Sequence, residues 1–446
     1  MATMTTTPIS RIGTADMAIT NATVVTVDGA NSVLDNATIA VTGDRITYVG
    51  PSIGAPGADE TLDARGAIVL PGLTNTHAHL AMTLLRGVAD DRNLDGFLGR
   101  VLPIEGALVD PDFVRAGTEI ALGESLLGGI TSTIDMYFCP DTVRAVADGL
   151  GATVHNGPVF FEFDGPDHKP FGQRIDEAET WLADAYRSGH PRWICPHSTY
   201  LLSEPQLVRL AELANRHGAR VHVHAAETQA ELIQVAARHG GRTPIQVLYD
   251  TGLLTNRTVL AHAVHLSATD ISLVAAAGAH IAHNPASNFK LSSGLAPIER
   301  YLDAGINVAL GTDGAASAND LDLWMAMRLA SYARKASTGD PTAVSAAQTV
   351  AMATRNGALA AGTADQNGSL EAGKLADLVV LQHDSLSLSP SFDPLSTLAY
   401  AATRREVAHV VHRGRVVVRD GALVNAVPAE ILERAAAQVA RVKAML

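Results

Sequence analysis

A chain of 446 residues is long enough for one large domain with a smaller one beside it. Hydrophobic residues make up 47% against 18% charged, which excludes a disordered chain and fits a folded enzyme with a large core. A formal net charge of −13 and a pI near 5.7 argue against nucleic acids or anionic membranes as partners.

The opening stretch MATMTTTPISRIGTADMAI has no basic head followed by an apolar core, so no signal peptide is expected. No apolar run is long enough to span a bilayer. Cys139 and Cys195 are far apart and in no metal-binding spacing, which suits free thiols in a reducing cytoplasm.

From Met17 to Arg65 the pieces MAITNATVVTVDG and ATIAVTGDRITYVG alternate Val, Ile and Thr, broken by Asp-Gly and Gly-Asp. That pattern predicts strands joined by tight turns. The same texture returns near the C-terminus in ADLVVLQ and VAHVVHRGRVVVRDGALV. Two β-rich ends around a different middle predict one small sandwich built from both termini, residues 1–66 and 366–446. Pro428 to Leu446 has helical spacing and predicts a terminal helix.

Residues 67–365 alternate strand-like and helix-like pieces. The strand candidates are GAIVLPGLTNT, ITSTIDM, TVHNGPVFF, RWICPHST, RVHVHAAE, TVLAHAVH, HIAHNP and NVALGTD. Amphipathic stretches such as DPDFVRAGTEIALGESLLGG and SEPQLVRLAELANRHG separate them. Helical crossovers imply a parallel sheet, and eight such units predict an α/β fold of the (β/α)8 TIM-barrel type. A doubly wound open sheet is the competing reading, but no GxGxxG follows the first strand.

In such a barrel, chemistry comes from the C-terminal ends of the strands. His77 and His79 lie two residues apart on the first and so share a face. His197 ends the fourth, His224 and Glu227 the fifth, His262 the sixth, His283 the seventh and Asp313 the eighth. Histidines and an aspartate meeting at one mouth would make a metal site open to water. A bound divalent ion can lower the pKa of its water to about 7. Each position also has a plain reading as a packing group. His222, in line with His224 but deeper, reads as a core histidine. His265 falls where the next helix begins, His280 reads as structural, and His283 stays undecided. Cys139-Pro and Cys195-Pro do not make the PCxxC of the small zinc deaminases.

PGLTNTHAHLAMTLLRG, VHVHAAE, LAHAVHL, AHNPASNFKLSSGLAPIER and GTDGAASANDLDLWMAMRLAS together resemble the amidohydrolase superfamily. Within it the chain is similar to the 5'-methylthioadenosine/S-adenosylhomocysteine deaminases, and the likeness extends to the tail LEAGKLADLVVL. The resemblance implies a hydrolytic deaminase of adenosine-type nucleosides. His77, His79, His224 and Asp313 would be the metal ligands and Glu227 the proton shuttle to N1 of the ring. His262 would orient the attacking water and Asp313 receive its proton. His197 would contact the purine and Glu105 the ribose hydroxyls. No lysine stands at the end of the fourth strand to bridge two metals, so one divalent ion is expected, Zn2+ first and Fe2+ or Mn2+ next. A homo-oligomer is also expected.

One stretch departs from the family pattern. Members that accept S-adenosylhomocysteine are expected to hold its carboxylate with arginines after the third strand. Here that region reads NGPVFFEFDGPDHKPFGQR, with Arg174 the candidate substrate-binding arginine and Phe160, Phe161 and Phe163 suggesting an apolar pocket wall. A preference for adenosine or an uncharged 5'-substituent is therefore expected. Other readings are an aminohydrolase or chlorohydrolase of a triazine, guanine-like or pterin ring, and, remotely, an inactive scaffold barrel.

Overall fold

The computed structural model describes residues 14–187 and 192–446. The first thirteen residues, which carry most of the stretch read for a signal peptide, lie outside the described residues.

Both chain ends enter one nine-stranded sheet. Its path runs Ala422–Leu423, Arg415–Arg419, Val407–His412, Leu378–Leu381, Ile68–Pro71, Ala15–Val25, Val33–Thr42 and Arg45–Pro51, with Ala58–Asp63 pairing alongside Ala15–Val25. The two ends of the chain meet in register where Val379 faces Leu70 in antiparallel pairing. Alternation places Ile19, Val24, Ile39, Val41, Val69 and Leu378 in a core of its own beneath this sheet. The expected strand GAIVLPGLTNT is in fact two. It breaks at Gly72: Ile68–Pro71 joins the nine-stranded sheet and Leu73–Ala78 begins the parallel set.

The middle of the chain forms two parallel sheets. Leu73–Ala78, Ile130–Asp135 and Thr153–His155 make one of three strands. Val159–Phe160, Trp193–Pro196, Arg220–Ala225, Thr258–His262, His280–His283 and Asn307–Leu310 make one of six. The third expected strand, TVHNGPVFF, is also split, at Asn156–Pro158. Gly157 packs so tightly on the neighbouring strand that a Cβ there would lie 1.9 Å from the Trp193 carbonyl oxygen. At the opposite side the two sheets touch again. Thr76 Oγ1 donates to the Leu310 carbonyl at 2.8 Å, and the Thr312 and Asp313 amides donate to the His77 carbonyl at 3.1 and 2.9 Å. Gly311 permits that approach, since its Cβ would sit 2.9 Å from the His77 backbone nitrogen.

Helices cross between the strands where amphipathic stretches predict them. Asp110 caps Pro111–Leu127 by accepting from the Phe113 amide at 2.8 Å, and Ser267 caps Ala268–Ala277 in a box with Asp270. Glu204–His217 ends at Gly218, whose φ of +59° is the left-handed stop that glycine allows. The terminal helix spans Pro428–Lys443. Among the described residues no helix is long and apolar enough to cross a membrane.

Candidate metal centre and active site

Five side chains from four strand ends converge. His77 closes the strand Leu73–Ala78 and His79 follows it; His224 lies on Arg220–Ala225; His262 ends Thr258–His262; Asp313 stands three residues beyond Asn307–Leu310. The ring centre of His77 lies 4.8 Å from that of His79, 4.9 Å from His224 and 5.3 Å from His262. Asp313 Oδ1 is 3.3 Å from Nε2 of both His77 and His79. His262 and Asp313 have φ of +71° and +63°, conformations that L-residues adopt sparingly and that recur at functional sites.

The hydrogen bonds behind these groups fix which atoms face the centre. His79 Nδ1 bonds the Met136 carbonyl at 2.6 Å and His224 Nδ1 the His197 carbonyl at 2.8 Å. A carbonyl only accepts, so each Nδ1 carries the proton and each Nε2 presents a lone pair. Those two Nε2 atoms are 3.2 Å apart. Neither can donate to the other while both imidazoles are neutral. His77 Nε2 is buried with no hydrogen-bond partner, and its Nδ1 lies 2.9 Å from His222 Nε2.

Lone pairs turned on one point suit a cation. Four ligands about 2.0–2.1 Å from one ion at tetrahedral angles stand roughly 3.3 Å from one another. The His79–His224, His77–Asp313 and His79–Asp313 separations of 3.2, 3.3 and 3.3 Å match that spacing. The residues present therefore fit a single divalent ion held by nitrogen and oxygen donors. His262 supplies a further donor nitrogen near His77 and Asp313.

Electrostatics agree. Burial holds His77 and His197 down at about 3 and His224 well below the usual range, so these imidazoles are neutral at physiological pH and His77 and His224 keep a nitrogen lone pair free for a cation. Burial opposes ionisation of Asp313, but His77, 3.3 Å away, together with His262 and His79, keeps its carboxyl well below the ordinary value. Ser287 and Ser317 hydroxyls donate to Asp313 Oδ2 at 2.6 and 2.7 Å, fixing the carboxylate plane.

Glu227, two residues beyond the strand of His224, is buried and raised by that burial. Ser293 Oγ donates to its Oε1 at 3.1 Å, and Oε2 lies 3.8 Å from His262 Nε2. The Glu231 carboxylate accepts both the Ala226 and Glu227 amides, at 2.9 and 2.6 Å, and so shapes the turn that carries Glu227. Asn288 Oδ1 pairs with His262 Nδ1 at 2.8 Å, which leaves Nε2 facing the site.

A cavity of about 450 Å³ opens from this centre, lined by His79, His224, Asp313, Glu227, His197 and Glu105 together with a mainly apolar wall. Glu105 comes from the helix Leu94–Leu108, accepts from the Tyr137 hydroxyl at 2.5 Å, and is pushed up to about 7 by burial. Eight of the nine residues singled out from the sequence thus meet at one place. Arg174 does not. Its guanidinium pairs with Asp167 and lies 4.4 Å over the Phe161 ring, outside the cavity lining.

His283 likewise does not line the cavity, and His280 is tied to Asn256 and Asn307 as a structural group. His265 lies just ahead of the helix cap Ser267 and bonds the Ser293 carbonyl. His222 is buried but holds His77 from behind. Sequence reasoning assigned no part to Tyr137, Asn288, Ser293, Ser287 or Ser317. The last four lie in the quoted stretches AHNPASNFKLSSGLAPIER and GTDGAAS, the only signal that marked them.

Comparison with known proteins follows the same line. Residues 68–417 match the amidohydrolase family. A 5-methylthioadenosine/S-adenosylhomocysteine deaminase of Syntrophobacter fumaroxidans is 39% identical over 94% of this chain and 97% of its own. A 5'-deoxyadenosine deaminase of Methanosarcina barkeri is 39% identical over 91% and 93%. Among solved structures, an adenosine deaminase from Xanthomonas campestris with bound zinc superposes with a TM-score of 0.93, at 34% identity, over 96% of this chain and 99% of that one. The chain belongs to the amidohydrolase family.

Proposed function

We propose that this protein is a metal-dependent hydrolase that deaminates adenosine-type nucleosides at C6, releasing ammonia and the inosine analogue. The observation that carries the reading is one cavity with the metal-donor set and Glu227 at its base and the buried Glu105 in its wall. The names of the two deaminase relatives and of the zinc-bound adenosine deaminase support it.

His77, His79, His224 and Asp313 would hold one divalent ion, zinc first and iron or manganese next. When bound, such an ion acidifies water and so supplies a nucleophile at neutral pH. Asp313 accepts the proton that the attacking water gives up, and His262, anchored by Asn288, orients that water through Nε2. Glu227 places its proton on N1 of the ring as charge develops there, takes one back from the hydroxyl newly added at C6, and hands that one to the departing amine as the C6 carbonyl forms. A general acid–base group of this kind contributes roughly 10²–10⁴-fold. The buried wall excludes bulk water, His197 packs along the ring, and Glu105 accepts from two adjacent ribose hydroxyls.

The two parallel sheets are read as one closed (β/α)8 barrel, supported by the Thr76–Leu310 and His77–Asp313 bonds between its first and last strands. The β-rich ends are read as a sandwich-like unit of their own, in line with its separate core, with the N-terminal boundary at Gly72. A homo-oligomer is proposed from Leu386 and Phe392, each more than nine-tenths exposed. Cytoplasmic residence is proposed from the two free thiols.

The test is a deamination panel on metal-analysed protein: adenosine, 5'-methylthioadenosine, 5'-deoxyadenosine, adenine, guanine and a triazine, followed by ammonia release. Turnover of the nucleosides but not the free bases is expected. Turnover of guanine or the triazine alone would replace the reading.

A further inference from the structure

Besides the metal donors, the cavity is lined by an aromatic cluster whose wall is built in an unusual way. Phe161 and Phe163 stack with ring centres 4.5 Å apart and planes 21° off parallel, and Phe138 meets Phe161 edge-on at 5.9 Å. All three line the cavity, and Phe163 is 45% exposed at its rim. The loop bearing Phe161 and Phe163 is pinned twice. Glu162 pairs with Arg238, and Asp167 pairs with Arg174 at the start of the helix Phe171–Arg187.

Arg174 is committed on every side. Nη1 donates to Asp167 Oδ2 at 2.9 Å, Nη2 donates to Asp167 Oδ1, and Nε donates to the Lys169 carbonyl at 3.1 Å. Its guanidinium packs 4.4 Å from the centre of the Phe161 ring, a cation–π contact on the side chain that also stacks on Phe163. Gly165 makes room for this arrangement, because a Cβ there would come within 2.5 Å of Phe161 and 2.8 Å of Arg174. Among the described residues lining the cavity there is no lysine or arginine, while Asp164 adds a carboxylate beside the aromatic pair.

We propose that Arg174 and Asp167 form a clamp that holds the Phe161–Phe163 wall as the receiving surface for an uncharged, apolar 5'-substituent of the nucleoside. Arg174 is a positioning residue and does not meet the substrate. The inference rests on the nucleoside deaminase reading. With the ring at the metal donors and the ribose at Glu105, the 5'-carbon is left to point along the remaining apolar wall. A thioether or methyl group gains burial there at no polar cost. A zwitterionic amino-acid tail would bring a carboxylate that finds no lysine or arginine among the described residues lining the cavity.

The experiment compares kcat and KM for adenosine, 5'-methylthioadenosine and S-adenosylhomocysteine in the wild type, Arg174→Met, Arg174→Lys and Phe163→Ala, each metal-loaded. In the wild type S-adenosylhomocysteine is expected to be the poorest substrate. Arg174→Met and Phe163→Ala are expected to raise KM for 5'-methylthioadenosine roughly three- to tenfold, the scale of a lost aromatic contact, with kcat kept. Adenosine, which lacks the apolar group, should change less than about twofold. Arg174→Lys should recover part of the loss, since it restores charge without the planar fork. Phe163→Ala touches an exposed ring and keeps the test open if the buried Arg174 variants fold poorly. Equal losses on adenosine and 5'-methylthioadenosine would overturn the clamp, as would a loss confined to S-adenosylhomocysteine, the mark of a direct carboxylate contact. Wild-type protein inert toward all three nucleosides would instead overturn the deaminase reading itself.

Discussion

Nε2 of His79 and Nε2 of His224 stand 3.2 Å apart with both Nδ1 atoms committed to backbone carbonyls, so two lone pairs face one another across a buried point. A cation between them turns that repulsion into two bonds. Removing metal with a chelator should therefore lower Tm, and zinc at about 1,000 times its Kd should restore roughly 4 kcal/mol of stability. His224→Ala should abolish both the bound metal and the response of Tm to zinc. An unchanged metal content in that variant, measured by atomic absorption, would show that the ion sits elsewhere.

Glu227 touches Ser293 and faces His262 but contributes no atom to the metal-donor groups. Glu227→Gln should keep the metal and bind nucleosides with little change while kcat falls by roughly 10²–10⁴-fold. Metal analysis beside steady-state kinetics separates this from a ligand. Loss of the metal along with activity would move Glu227 into the ligand set.

Glu105 lies on a helix outside the parallel sheets and reaches the cavity wall beside Tyr137. Hydrogen bonds to a charged group carry about 1.5–3 kcal/mol. Glu105→Gln should accordingly lower kcat/KM on adenosine by roughly 10- to 100-fold, mostly through KM, with metal content intact. A 2',3'-dideoxy nucleoside, lacking the hydroxyls, should show almost no difference between wild type and variant. An equal loss on both compounds would argue for a merely structural glutamate.

Asp135 ends the strand Ile130–Asp135, fully buried, with Oδ1 accepting the Leu80 amide at 2.8 Å and Oδ2 unpartnered. Burial pushes its carboxyl from 3.8 up to about 7, although the Leu80 bond opposes the shift. Because the folded value lies above the unfolded one, the folded chain keeps a proton that the unfolded chain has released across that window. Its contribution to stability is complete below the unfolded value and is lost as pH rises through the folded one. Asp135→Asn keeps the Leu80 bond and removes the titration. The Tm of the variant relative to wild type should rise by a few degrees between pH 5 and 7.5. A constant difference would place the proton elsewhere.

Much of the site was legible because barrel chemistry collects at strand ends, and strand ends can be read from apolar runs that stop at His, Glu or Asp. His77, His79, His224, His262 and Asp313 were found in that way, and the left-handed turns at His262 and Asp313 did not hide them. What sequence pattern could not show was which strand a residue pairs with. One apolar run around Gly72 supplies two sheets, and the break at Gly157 reflects a close backbone approach that no periodicity records. The family resemblance points to an arginine after the third strand for the substrate carboxylate and so to Arg174, whereas Asp167, only seven residues earlier, claims it. Tyr137 and Asn288 act through partners distant in sequence and carry no spacing signal of their own.

The most direct measurement is a zinc titration of chelator-treated protein, followed by the initial rate of adenosine deamination. Activity should rise from near zero in proportion to added zinc and reach its plateau at one equivalent per chain. A fully loaded protein without activity on any adenosine-type nucleoside, or full activity before metal is added, would contradict a one-metal nucleoside deaminase.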